Sequence, residues 1–183
     1  MLPNRKRLEI TERYFSGLTE QTFQSRLGVA DPPLVDYLSR LLVRFIHRDG
    51  LFSVRAPSGK RLNQVAEMVA EAEQRQGTSR REVHRHIGDF TLFWTGVYPE
   101  ALEKLNAPPL PDSFIDYKLQ GKRSYMIAAN VELPDTNAES ADAELLHRLA
   151  DEYDMCAFGL SEVRKEWERQ DPEEDGPVGL WLL

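Results

Sequence analysis

The chain has 183 residues, of which 41% are hydrophobic and 29% are charged, a balance typical of a soluble protein with one core. The formal net charge of −7 argues against binding to nucleic acid, because that affinity depends on cations that neutralise phosphates. The single cysteine, Cys156, excludes an internal disulfide. With no signal-peptide core and no apolar run long enough to span a bilayer, the sequence predicts a cytoplasmic protein without membrane contact.

The first part of the chain is predicted to be helical. Apolar residues over 10–27 indicate one or two short helices, with an interruption near Gly17 and Thr19. Asp31 is followed by two prolines, which marks a helix start, because aspartate caps free amides and proline lacks one. The apolar spacing that follows predicts a helix through His47.

An extended connector over 51–55 leads to the middle of the chain. Helical spacing over 61–76 predicts a helix that ends at Gly77. Ser79 and Glu82 form a capping box, which predicts that the next helix begins at Ser79. Five apolar side chains then recur at steps of four and three and share one helix face: Val83, Ile87, Phe90, Trp94 and Val97.

Proline and glycine interrupt the chain after this helix. Gly96 and Pro99 are predicted to end it, since proline removes an amide donor. A short helix is predicted over 99–105, and the proline-rich segment 106–111 cannot be helical throughout.

Two further helical segments are predicted on either side of Gly121. Asp112 is expected to cap the first, which continues through Leu119 and includes Phe114 in its apolar pattern. Gly121 is expected to interrupt the helix, which resumes over 124–131.

The longest helix is predicted near the end of the chain. Thr136 and Glu139 form a second capping box, and an apolar stripe continues over 137–169. Residues 171–183 are predicted to be a flexible acidic linker with an apolar tip. The predicted fold is therefore an all-α, irregular multi-helix bundle of six to eight helices, with a single domain over 1–170.

One strip of polar side chains is a candidate metal site. Glu82, His86 and Asp89 lie on adjacent turns of the predicted central helix, where imidazole and carboxylates can bind a divalent metal or transfer protons. Glu100 or Asp116 is expected to complete such a site. The alternative interpretation is structural: a histidine beside a core often bonds to a carboxylate and ties one helix to another.

The remaining catalytic signals are weak. Glu144 and His147 have the E-x-x-H spacing of di-metal helical proteins, but only one copy is present and His147 is predicted to face solvent. Cys156 lies in an apolar stripe, where a thiol behaves as a small hydrophobic group. The sequence contains no nucleophile elbow, phosphate-binding loop, dinucleotide fingerprint or haem-attachment motif, so no cofactor is expected apart from the metal alternative.

The apolar tip is the main candidate for partner binding. An apolar end of this kind must be buried, either in a groove on another protein or a second copy, or on the chain's own core. Tryptophan is a common anchor in protein interfaces. The tip residues are Leu180, Trp181, Leu182 and Leu183.

The middle of the chain contains the pattern H-x-G-D-x-x-L-F-x-x-G-x-x-P-E and a second group of residues that follows it. These residues are His86, Gly88, Asp89, Leu92, Phe93, Gly96, Pro99 and Glu100, followed by Asp116, Tyr117, Gly121, Ser124 and Tyr125. The combination, which covers about a quarter of the chain, resembles that of a family of uncharacterised small bacterial helical proteins. The resemblance implies a small, soluble, all-helical protein and assigns no activity and no site residue.

Two hypotheses for function follow from the sequence. The first is a non-enzymatic protein-interaction or regulatory domain that forms a homo-oligomer or binds another protein through its last helix and apolar tip. The second is a metal-binding enzyme or sensor that uses Glu82, His86 and Asp89.

Overall fold

The computed structural model describes the backbone of residues 4–46, 48–133 and 137–170, and the side chains of residues 9–46, 50–133 and 142–170. These residues form helices and no strand, apart from an isolated bridge between Arg55 and Arg61, so the predicted all-α, multi-helix fold is confirmed. None of the helices described is both long and apolar enough to cross a membrane. In chain order they are α1 (Asn4–Thr22), α2 (Pro32–Ile46), α3 (Arg48–Leu51), α4 (Val65–Glu73), α5 (Gly77–Gly96), α6 (Leu102–Leu105), α7 (Tyr117–Ala129), α8 (Asn137–Asp151) and α9 (Tyr153–Gln170).

The helices form two compact units. The first consists of Met1–Leu51 and Phe158–Leu183, and the second of Phe52–Ala157, so the division falls within α9. The single domain over 1–170 stays a prediction.

In the first unit, α1 packs against α2 and against the later part of α9. The rings of Phe15 and Trp167 meet edge to face, with centroids 5.1 Å apart. The predicted interruption of this segment is wrong, because α1 continues through Gly17 and Thr19. Thr19 is fully buried in this unit. Tertiary packing of this kind stabilises a helix that the local sequence alone would not form. A π-helical turn, Phe23–Leu27, follows α1 and ends at Gly28, whose φ of 67° is left-handed.

In the second unit, α5 packs against α4 and α7, and α7 also packs against α8. The predicted apolar face of α5 is buried, and burial extends beyond it, because His84, about 100° around the helix from the centre of that face, is only 1% exposed. The predicted start at Ser79 is wrong: α5 begins at Gly77, and Gln76 before it is extended. Gly77 has a φ of 55°, a left-handed value that glycine adopts easily, so the chain turns there and Ser79 already lies in the first helical turn.

The α7 helix differs from the prediction in its capping residue and in its continuity at Gly121. Asp112 does not cap it; Asp116 does, by accepting a 3.0 Å hydrogen bond from the amide of Leu119. The predicted interruption at Gly121 is also wrong, since α7 runs through it. A Cβ at Gly121 would lie 2.6 Å from a ring carbon of Tyr153, so close packing against another helix explains the glycine.

The long helix predicted over 137–169 is present as α8 and α9. They are separated by Glu152 alone. Helical hydrogen bonds continue on both sides, from the Glu152 amide to the Arg148 carbonyl at 2.8 Å and from the Cys156 amide to the Glu152 carbonyl at 2.9 Å. The second capping box involves Thr136, which lies outside the described residues, as does the predicted linker with its tip, 171–183.

Candidate interaction surface

The three residues of the predicted metal site have separate surroundings. Glu82 is exposed, 3.9 Å from the guanidinium of an arginine one turn later. His86 is 8% exposed, and its Nδ1 lies 2.9 Å from Oγ of Ser53 in the connector before α4. Asp89 is 1% exposed and accepts a 2.7 Å hydrogen bond from the hydroxyl of Tyr125. Among the described residues, no group of three or more His, Cys, Asp or Glu side chains is placed to hold a metal ion, so these three are not brought together as ligands.

The two residues expected to complete a metal site lie elsewhere. Glu100 is exposed in the 3-10 turn Pro99–Ala101, and Asp116 uses its carboxylate to cap α7. The contacts of His86 and Asp89 instead join α5 to the connector and to α7. These contacts agree with the structural interpretation, in which buried polar side chains fasten neighbouring segments.

A different carboxylate organises the segment before α7. Asp112 is fully buried in the 3-10 turn Pro111–Phe114. Its Oδ2 and Oδ1 accept hydrogen bonds from the amides of Val65 and Ala66, both at 2.8 Å, and so cap the start of α4. The hydroxyl of Tyr117 donates to the same Oδ2 at 2.6 Å. One carboxylate therefore holds the turn, α4 and α7 together.

The hydroxyl of Tyr117 is a permanent donor in this arrangement. Burial, and then the hydrogen bond to Asp112, raise the pKa of Tyr117 far above its usual value. The phenol therefore stays protonated at neutral pH and well above it, so its hydroxyl remains available as a donor there.

The turn held by Asp112 carries the most exposed aromatic side chain of the described residues. Phe114 is 98% exposed, although the sequence pattern placed it in the apolar face of a helix. Leu110 precedes the turn at 37% exposure, and α7 adds Leu119 at 66% and Met126 at 37%. Seven large apolar side chains are exposed in the part of the chain that the structure describes, and these four follow one another along a short stretch of it. We call them the Phe114 surface.

Basic groups accompany this surface on α7. Lys118 and Lys122 both contact the carboxylate of Asp154, at 2.5 and 2.6 Å, and these two hydrogen bonds hold the pKa of Asp154 below its usual value. Two ammonium groups thus share one carboxylate. Arg123 is exposed between Leu119 and Met126, and no carboxylate of the described residues forms an ion pair with it. The exposed side of α7 is therefore apolar and positively charged.

No protein-family model, curated protein or solved structure matches this chain. The resemblance over 86–125 to a family of bacterial helical proteins therefore stays a prediction. Several of its residues have a packing role in this fold: the ring of Tyr125 lies against Gly88, and that of Tyr153 against Gly121.

Sequence reasoning missed Phe114 because an apolar residue near a predicted helix is normally assigned to the core. Pro111 and the proline-rich segment before it were the available signal, since they favour a turn over a helix. The predicted partner-binding residues of the tip, Leu180, Trp181, Leu182 and Leu183, lie outside the described residues.

Proposed function

We propose that this chain is a non-enzymatic protein-interaction domain that self-associates, with residues 180–183 of one copy bound at the Phe114 surface of another. The observation that carries the proposal is the 98% exposure of Phe114 on a turn whose aspartate is fully buried. An aromatic side chain on a fixed turn loses little conformational entropy when it binds, and aromatic residues supply much of the energy of protein interfaces.

The charges of the two surfaces support this choice of partner. Four acidic residues, Asp171, Glu173, Glu174 and Asp175, precede the apolar tip. The Phe114 surface has the opposite character, with Lys118, Lys122 and Arg123 beside its apolar residues. Complementary charge of this kind raises the rate of association and fixes the orientation of the bound segment.

The proposed contact joins two different surfaces of the same chain. Such a heterologous contact makes a ring if its rotation closes and an open chain if it does not. Assembly should therefore increase with protein concentration, and added salt should weaken it by screening the acidic and basic groups.

Sedimentation equilibrium tests the proposal with three variants. We expect the full chain to form concentration-dependent oligomers, and Phe114→Ala and a truncation after Gln170 to be monomeric. Phe158→Ala is the matched control, since Phe158 is also an exposed phenylalanine, at 56%, but lies in the first unit. It should assemble like the unmodified chain.

A peptide experiment identifies the two partners in the contact. A fluorescein-labelled peptide of residues 171–183 should bind the truncated protein, and its anisotropy should rise less with the Phe114→Ala variant of that protein. A peptide that binds neither protein, together with a full chain that stays monomeric at about 100 µM, a concentration above the µM to pM range of standard protein interfaces, would show that the proposal is wrong.

A further inference from the structure

The first unit contains a cleft of about 650 Å³ between α1 and α2. Small side chains are part of its lining: Ser16 on α1, and Ser39 and Val43 on α2. Ser39 is 4% exposed and donates a 3.0 Å hydrogen bond to the carbonyl of Asp36 in its own helix. Elsewhere both helices contribute larger buried side chains, among them Phe15, Leu38 and Leu42.

Three guanidinium groups border the cleft. Arg40 and Arg44 lie one turn apart on α2, and Arg13 projects from α1. Arg13 forms no ion pair with any carboxylate that the structure describes. Arg40 contacts Asp36 at 3.1 Å, but it is 79% exposed, and an exposed pair within one helix contributes little in water. At least these two guanidinium groups can therefore turn towards a bound anion at small cost.

Two carboxylates, of Glu12 and Asp36, share the cleft with the arginines and leave one net positive charge. This mixture does not suit a long polyanion, because each carboxylate would repel it. It suits a small molecule with one anionic group for the arginines and hydroxyl groups that donate to the carboxylates. Guanidinium binds phosphate through two parallel hydrogen bonds, and a phosphate monoester carries more charge and more acceptor oxygens than a carboxylate, so it can engage several arginines at once.

We propose that this cleft binds a small phosphate monoester that carries hydroxyl groups. The phosphate lies at Arg13, Arg40 and Arg44, and the hydroxyl groups donate to Glu12 and Asp36. The volume is within the usual range for small-molecule sites, roughly 300–1,000 Å³. The site is independent of the Phe114 surface, which belongs to the second unit.

Isothermal titration calorimetry at low ionic strength tests the proposal, with AMP as the phosphate monoester. AMP is expected to bind, and adenosine, which lacks the phosphate, to bind at least tenfold more weakly. Inorganic phosphate, which lacks the hydroxyl groups, should also bind more weakly than AMP. Absence of detectable AMP binding at millimolar concentration would overturn the proposal.

Charge variants locate the binding site. The double variant Arg40→Gln with Arg44→Gln should weaken AMP binding at least tenfold. The matched control is Arg164→Gln with Arg169→Gln, which removes one half-buried and one exposed arginine of α9 that do not border the cleft and so changes the net charge equally. Equal losses in the two double variants would mean that net charge alone attracts AMP, and the proposal would be wrong.

A volume variant makes the second check. Ser16→Leu places a larger side chain in the cleft without a change of charge, and Ser16 is exposed, so the fold should tolerate it. We expect this variant to keep its melting temperature and to lose AMP binding. Unchanged AMP affinity in Ser16→Leu would place the binding outside the cleft.

Discussion

The ring of Tyr125 lies directly against the backbone of Gly88. A Cβ at Gly88 would be 2.6 Å from two of its ring carbons, closer than real Cβ atoms approach a neighbour. Tyr125 is fully buried, and its hydroxyl bonds to Asp89, the next residue along α5. The ring therefore cannot move away without the loss of that hydrogen bond, and α5 and α7 approach each other only because position 88 has no side chain.

Substitution of Gly88 by alanine should destabilise the protein by about 1–3 kcal/mol, the usual cost of an extra methyl group in a filled core. Gly17→Ala is the matched control, because a Cβ there meets no atom within 4 Å. It should stabilise α1 by up to about 1 kcal/mol through the better helix propensity of alanine. Urea unfolding measures both, and equal effects of the two substitutions would contradict the packing argument.

Loss of the Asp112 carboxylate should be among the more damaging single changes in the second unit. Asp112→Ala leaves the amides of Val65 and Ala66 and the hydroxyl of Tyr117 without their acceptor. Each buried unpaired group costs about 1–3 kcal/mol, so the total should be about 3 kcal/mol or more. Asp116→Ala removes an exposed cap and should cost only about 1 kcal/mol. Thermal unfolding of both variants checks the difference, and a smaller loss for Asp112→Ala would be the contrary result.

His84 should make the stability depend on pH below neutrality. Its ring is 1% exposed, and neither nitrogen has a hydrogen-bond partner among the described residues. Burial first, and then the charge of Arg80, lower the pKa of His84 from 6.5 to about 4, while Glu73 opposes the shift and Arg123 adds slightly to it. Between these two pH values the unfolded chain binds a proton that the folded chain does not. The free energy of unfolding should therefore fall as pH drops from 6.5 to 4, by up to about 3 kcal/mol, with no contribution above 6.5.

The variant His84→Gln tests this pH dependence. Urea unfolding at a series of pH values should show a shallower fall in stability for His84→Gln than for the unmodified chain, whatever the difference at pH 7. Parallel curves for His84→Gln and the unmodified chain would mean that another group causes the acid sensitivity.

Replacement by alanine should affect stability very differently at Phe90 and at Phe114. Phe90 is 1% exposed and Phe114 is 98% exposed. Phe90→Ala should cost about 3–5 kcal/mol, because it removes buried surface and leaves a cavity. In the chain truncated after Gln170, which lacks the proposed partner segment, Phe114→Ala should change stability by less than about 0.5 kcal/mol, as is usual for surface positions. A large loss of stability in this truncated variant would show that the ring packs against its own chain.

Features set by neighbouring residues in the sequence could be predicted. The helix that begins after Asp31 is one example, since the aspartate accepts a 3.2 Å hydrogen bond from the amide of Leu34, as its position before two prolines indicated. The central helix with its buried apolar positions is another, because periodicity alone defines it.

Features set by distant residues could not be predicted in this way. Asp112 caps a helix whose first residue, Val65, lies 47 positions earlier, so local patterns assigned the aspartate to the wrong helix. Gly121 is required by the close approach of Thr91 and of the ring of Tyr153, and without those contacts a glycine indicates a helix end. The Phe114 surface depends on the same distant contact: Asp112 is buried where it caps α4, and Phe114, two residues later, is exposed. A local sequence pattern contains no information on that contact.

Asp112 belongs to the turn that bears Phe114 and also caps α4, which has a consequence for dynamics. The amide hydrogens of Val65 and Ala66 can exchange with deuterium only when they leave this carboxylate, and the turn that bears Phe114 opens in the same event. A ligand that steadies Phe114 should therefore slow deuterium uptake at both amides, although neither belongs to the turn. Binding at the Phe114 surface could thus be detected from deuterium exchange at the first two residues of α4.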